Sequence, residues 1–136
     1  MSGGYSLSDA ASLRRANAYL ARLVQGHADR LIGFAVVNPR LPGAPDDLLR
    51  AIEAWLSGVK IVPSSGYPHS SGVQPTFAEA SRLQLPVLLH SGIFFDIRSS
   101  RFCLPAEYES LRDHSGASVT LAHLGCRGRM RPSPSA

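Results

Sequence analysis

"LPVLLHSG", residues 85–92, runs Val87, Leu88 and Leu89 into a histidine, a serine and a glycine. Thirty-three residues after His90 the pattern returns as "VTLAHLG", residues 119–125, with His123 again just ahead of a glycine. Short apolar runs without a helical period, closed by small polar residues, are the signature of strands inside a parallel sheet. Both runs end on an imidazole.

Working outward, "GVKIVP" at 58–63 and "RLIGFAVVNP" at 30–39 have the same character, the second closed by Asn38 and Pro39 and expected to be buried on both faces. Amphipathic segments separate the runs. The first helix is expected from a Ser8 N-cap, with Leu13, Ala16, Leu20, Leu23 and Val24 forming one stripe before Gly26. A second opens at Pro45, turns Leu48, Leu49, Ile52, Trp55 and Leu56 inward and stops at Gly58. A third is "QPTFAEASRLQ", with Phe77, Ala80 and Leu83 inward, and a short one is expected from Ala106 to Asp113.

Strands alternating with helices predict a parallel sheet of right-handed crossover units. The strand ends Asn38, Lys60, His90 and His123 lie 22, 30 and 33 residues apart, and a (β/α)8 TIM barrel spends about 31 residues per unit. The fold class is therefore α/β, a partial (β/α)8 barrel of four units, with a four-strand open sheet as the alternative. Residues 1–126 form this unit, and 127–136 are a basic, Pro- and Ser-rich tail expected to be disordered.

Composition narrows the function. The chain has 136 residues, 44% hydrophobic and 18% charged, as in a globular domain. No run approaches the roughly 20 apolar residues of a membrane helix, and the first residues lack a secretory pattern, so the expected location is cytoplasmic. Cys103 and Cys126 show no metal or disulfide spacing and are expected as free thiols. Of the net charge of +4, Arg127, Arg129 and Arg131 supply three units from the last ten residues. That leaves no basic stripe for nucleic acid, and a tail-mediated contact ranks last.

Strand alternation sets His90 on one face with Leu88, and His123 with Leu121 and Val119, and the two rings are expected to converge at a barrel mouth. A buried imidazole without a partner costs about 1–3 kcal/mol, and a divalent metal would satisfy both. The competing explanation is a bond from each ring to a neighbouring backbone carbonyl. Lys60 could reach the same rim, or extend to water or a carboxylate. His69 in the loop after the second strand, and Arg98 and Arg101 after the third, could hold a small-molecule substrate, Arg by gripping a carboxylate; solvated surface charge is the alternative. His27 and His114 are expected to cap helix ends.

"NPRLPG", "GVKIVP", "LPVLLHSG" and "VTLAHLG", in this order, resemble strands three to six of amidohydrolase superfamily barrels, in the branch of aminocarboxymuconate semialdehyde decarboxylase and related metal-dependent hydrolases. "RANAYLARLVQGHADRLIGFAVVNP" resembles the helix before the third strand of that branch. The resemblance implies a divalent cofactor, zinc first and manganese or iron next, held by His90 and His123. It gives His123 a second role in orienting activated water, and places Lys60 at the end of strand four, where some relatives carry a carboxylated lysine. The implied activity is hydrolysis of a C–N or C–O bond, or decarboxylation of a small carboxylic acid.

The family's first-strand His-x-His or Glu-x-His pair and its eighth-strand aspartate do not occur in this sequence. A truncated copy, weakly active or inactive alone, is therefore expected. The alternative is a non-catalytic scaffold that self-associates through exposed barrel edges.

Overall fold

The computed structural model describes residues 7–63, 66–92, 101–114 and 116–126. Residues 93–100, with Arg98, and the tail 127–136 lie outside the described residues. Elements follow in the order α1 (Ala10–Gly26), β1 (Phe34–Val37), α2 (Ala44–Glu53), β2 (Gly58–Ile61), α3 (Gln74–Arg82) and β3 (Pro86–Gly92). Two 3-10 segments, Arg101–Cys103 and Pro105–Asp113, then lead into β4 (Ser118–Cys126). The four strands pair in sequence order and every pairing is parallel. This is the expected partial barrel, an α/β unit of four strands.

One face of the sheet carries the core. Ala35 and Val37, Val59 and Ile61, Val87 and Leu89 alternate onto it and meet Ala21 and Val24 of α1, Leu48 and Ala51 of α2, and Phe77 and Ala80 of α3. Tyr108 and Leu111 of the second 3-10 segment complete the layer. The opposite face, with Phe34, Val36, Lys60 and Leu88, is only half-buried. The expectation that β1 is covered on both sides is therefore corrected: the described helices pack on one side, and Ile32 ahead of the strand is 77% exposed.

Local chemistry sets the boundaries. Asp9, not Ser8, caps α1; its two carboxylate oxygens accept from the Ala11 and Ser12 amides at 3.2 and 2.9 Å, a pairing a single hydroxyl cannot make. Helix α2 opens at Ala44, with Pro45 in its first turn, and ends at Glu53. Trp55 follows in a left-handed conformation (φ 79°) and is 67% exposed, so it leaves the inner stripe while Leu56 stays in it. Gly58 does not end the helix but starts β2. The Phe34 ring on the neighbouring strand comes within 2.6 Å of where a Cβ would stand, so only glycine fits.

Helices α1 and α2 are tied by Asp47, which accepts from Arg14 at 2.8 Å and from Arg50 at 3.2 Å. A second tie runs from α1 to the sheet. The Asn17 side chain accepts from the Val36 amide and donates to the Val36 carbonyl, both at 2.9 Å, and so occupies both hydrogen-bonding groups of one residue of β1.

Two aromatic substitutions should move stability in opposite directions. Phe77→Ala, which empties the middle of the layer, is expected to cost about 3–5 kcal/mol. Trp55→Gly, which relieves a left-handed backbone at an exposed site, is expected to gain up to about 1 kcal/mol. Urea unfolding of both variants checks the pair; equal signs would contradict this account of the packing.

Candidate functional site

Parallel strands bring Asn38, the end of β2, His90 and His123 to one rim, the end of the sheet where α/β folds place their chemistry. Asn38 is spent locally, donating to the Leu7 carbonyl at 2.6 Å and accepting from the Arg40 amide at 3.0 Å. Lys60 shares a face with His90, because it pairs with Leu88 one side-chain step earlier along β3. Its partial burial lowers its pKa, against an opposing influence from Cys103.

His90 and His123 do meet, with ring centroids 4.9 Å apart and ring planes at 61°. Simple alternation is not the cause. Leu89 pairs with Leu121, and both pack on the helix side, whereas His90 pairs with Ala122 on the other. An unbroken β4 would therefore send His123 to the face opposite His90. The ladder instead shifts: β4 takes four steps from Ala122 to Cys126 while β3 takes two from His90 to Gly92. His123 stands inside this bulge with φ 62°, and the irregularity turns its ring to its neighbour. His90 is half-buried and His123 exposed.

The spacing suits a shared ion. Two imidazoles bound to one cation at about 2.0–2.1 Å and a roughly tetrahedral angle have centroids about 5 Å apart. Among the described residues no group of three His, Cys, Asp or Glu could complete such a site. The pair therefore fits two ligand positions, one fewer than the three protein ligands of a catalytic zinc.

Around the rim, two expected substrate contacts fall into one aromatic cluster. His69 stacks on Tyr67 at 5.2 Å, Tyr67 meets Phe102 edge-on at 4.8 Å, and the Arg101 guanidinium lies 4.7 Å over the Phe102 ring. His69 Nδ1 is 3.8 Å from Glu107. His27 caps the end of α1 as expected, its Nδ1 3.0 Å from the Leu23 carbonyl, whereas His114, at the end of the second 3-10 segment, turns its Nε2 to Gln74 Oε1 of α3 at 2.5 Å rather than to its own segment.

Two neighbours of the site carry no sequence signal. The Tyr108 hydroxyl donates to the His90 carbonyl, latching the 3-10 segment to the end of β3. Buried Cys103 points its Sγ at the Pro63 carbonyl at 3.6 Å. The side chain of Cys126 lies outside the described residues. Burial is the main cause that pushes both the Cys103 thiol and the Tyr108 phenol above their ordinary values. A tyrosine within an apolar 3-10 stripe looks like core; only its hydroxyl partner, 18 residues away, reveals the latch.

Both shifts make stability fall in alkali. The fold keeps protons on Cys103 and Tyr108 that the unfolded chain releases above 9.0 and 10.0, so each contribution is full below those values and lost as pH climbs toward the raised pKa. Lys60 works the other way, because its lowered pKa lets the folded chain shed a proton before the unfolded value of 10.5. The shift of Tyr108 is the large one and decides the sign. The urea midpoint is expected to drop above about pH 9 and to drop less steeply in Tyr108→Phe; an identical slope in that variant would remove Tyr108 from the account.

The family model described as Amidohydrolase matches residues 6–129. Among solved structures the chain is similar to 2,6-dihydroxybenzoate decarboxylase complexed with 2,6-dihydroxybenzoate, at TM-score 0.64 and 20% identity over 83% of this chain and 44% of that one. It is also similar to a Staphylococcus aureus protein described as an amidohydrolase, at TM-score 0.56 and 17% identity over 81% and 47%. No curated protein matches at a comparable level. The chain spans less than half the length of either solved structure, and at these identities the likeness concerns the fold. The family match takes in all four strands and both rim histidines, and the chain belongs to the amidohydrolase family.

Proposed function

We propose that this chain carries two imidazole ligands of a divalent-metal site of amidohydrolase type. The site would serve hydrolysis of a C–N or C–O bond, or decarboxylation of a small carboxylic acid. The observation that carries it is the 4.9 Å contact of His90 with His123, made possible by a bulge at the end of β4. Family membership and a decarboxylase among the similar folds support the same chemistry. Zinc is the first candidate ion and manganese or iron the next; imidazole suits zinc and iron, and manganese enters through the family resemblance.

A bound divalent cation supplies Lewis acidity and makes its water acidic near neutral pH. The residues of the chain have other tasks. His90, anchored through its carbonyl by Tyr108, holds one ligand position. His123, exposed at the rim, holds the second or receives a proton from water beside it. Lys60, disposed by burial to give up its charge, sits one step below as a proton donor or a pair for a substrate carboxylate. Arg101 and His69 stand on the aromatic cluster as substrate contacts, Arg101 able to hold a carboxylate through its guanidinium.

Only two ligands are present among the described residues, so affinity is expected to be modest and turnover low. The same shortage favours a second interpretation, a scaffold without activity of its own.

Zinc titration by calorimetry, in a non-chelating buffer, tests the proposal. One equivalent is expected to bind, and either His90→Ala or His123→Ala should weaken it at least about tenfold. A well-folded chain that takes up no zinc, or variants that bind as well as the parent, would leave the scaffold interpretation standing. His123→Gly separates ligand from backbone: it should lose zinc while gaining up to about 1 kcal/mol of stability, because glycine adopts the left-handed bulge without strain. Loss of both metal and stability would assign His123 a structural duty instead.

A further inference from the structure

The sheet alone does not fix His90. The ladder between β2 and β3 ends at Ile61 and Leu89, and Pro63, two residues on, has no amide with which to extend it. On its other side β3 leaves regular register with β4 between His90 and Gly92. His90 is thus the residue at which β3 departs from both neighbours, and the direction of its side chain depends on what else holds its backbone. Two buried side chains do so. The Tyr108 hydroxyl donates to the His90 carbonyl, and the Cys103 thiol donates to the Pro63 carbonyl at 3.6 Å. Cys103 is fully buried and Tyr108 nearly so, and the two side chains are also hydrogen-bonded to each other. Phe102, beside Cys103, packs edge-on against Tyr67 and fixes the root of the arrangement.

We propose that Cys103 and Tyr108 form a two-pronged clip across the ends of β2 and β3, and that they are the positioning residues of the His90 ring. Each prong holds one strand end where the ladder rungs have stopped, so the gap between the ends, and with it the bearing of His90 toward His123, is set by this pair. Both act through His90 rather than on a cation. A ligand already held in its direction gives up less freedom when it binds, and the clip therefore adds to metal affinity by preorganisation. That consequence rests on the reading of His90 and His123 as metal ligands, whereas the clip itself is testable on the ring contact alone.

The first arm of the test is therefore metal-free. With a chelator present, nuclear Overhauser contacts between the ring protons of His90 and His123 are expected in the parent chain. They are expected to be lost in Tyr108→Phe and in Cys103→Val, with the fold retained by circular dichroism. Asn17→Ala, which removes two bonds at β1, is expected to lower the urea midpoint yet keep the ring contact, and so separates positioning from general loosening. Ring contact that survives in either clip variant, or is lost in Asn17→Ala, would overturn the proposal. In the second arm, each clip variant is expected to bind zinc about tenfold more weakly than the parent, the low end for a residue that acts through a metal ligand. Equal affinity would also overturn it. A parent that shows the ring contact but takes up no zinc would end the metal reading and leave the first arm to decide the clip.

Discussion

The period-two alternation of a strand, broken once in β4, governs what this molecule can do. Intact alternation builds the core: Val59, Ile61, Val87 and Leu89 go to the helices because every second side chain must. Broken alternation builds the rim, because only the shift between Ala122 and Cys126 lets His123 join His90 on a common side. The local irregularity costs strain at a residue with φ 62°, one of the two imidazoles proposed as metal ligands.

The rim is held from outside as well as from below. Tyr108 fastens the segment after β3 to the backbone of His90, and Cys103 brings the same segment against the end of β2. Because Tyr67 and Phe102 pack together, the loop after β2 joins this arrangement. Two loops remote in sequence thus become one wall, with His69 and Arg101 on it.

Much of the fold was legible in the sequence. Four apolar runs at nearly regular intervals gave four parallel strands in order, since buried parallel strands need continuous apolar sequence and helices need stripes. Element ends were less legible. Asp9 displaced Ser8 as cap because two oxygens satisfy two amides, and Trp55 left the helix because a left-handed turn intervenes. The repeated motif led to the expectation that the two histidines meet, but the alternation it relied on would have parted them; a bulge, with no glycine at its left-handed position to announce it, brings them together. Asn17 and Tyr108 were invisible for a related cause: their partners are backbone atoms, and a backbone leaves no letter in the sequence.

Asn17 has a consequence for how α1 and β1 move together. On the side of β1 away from β2, a helix-borne amide fills the rung at Val36. Any incoming strand would have to evict that amide before gaining its first rung, so joining at β1 is an exchange with a threshold of about 1–3 kcal/mol rather than a simple addition. One small polar side chain thereby makes α1 and β1 a single piece at this rung, so that the helix cannot tilt away from the sheet without giving up both bonds.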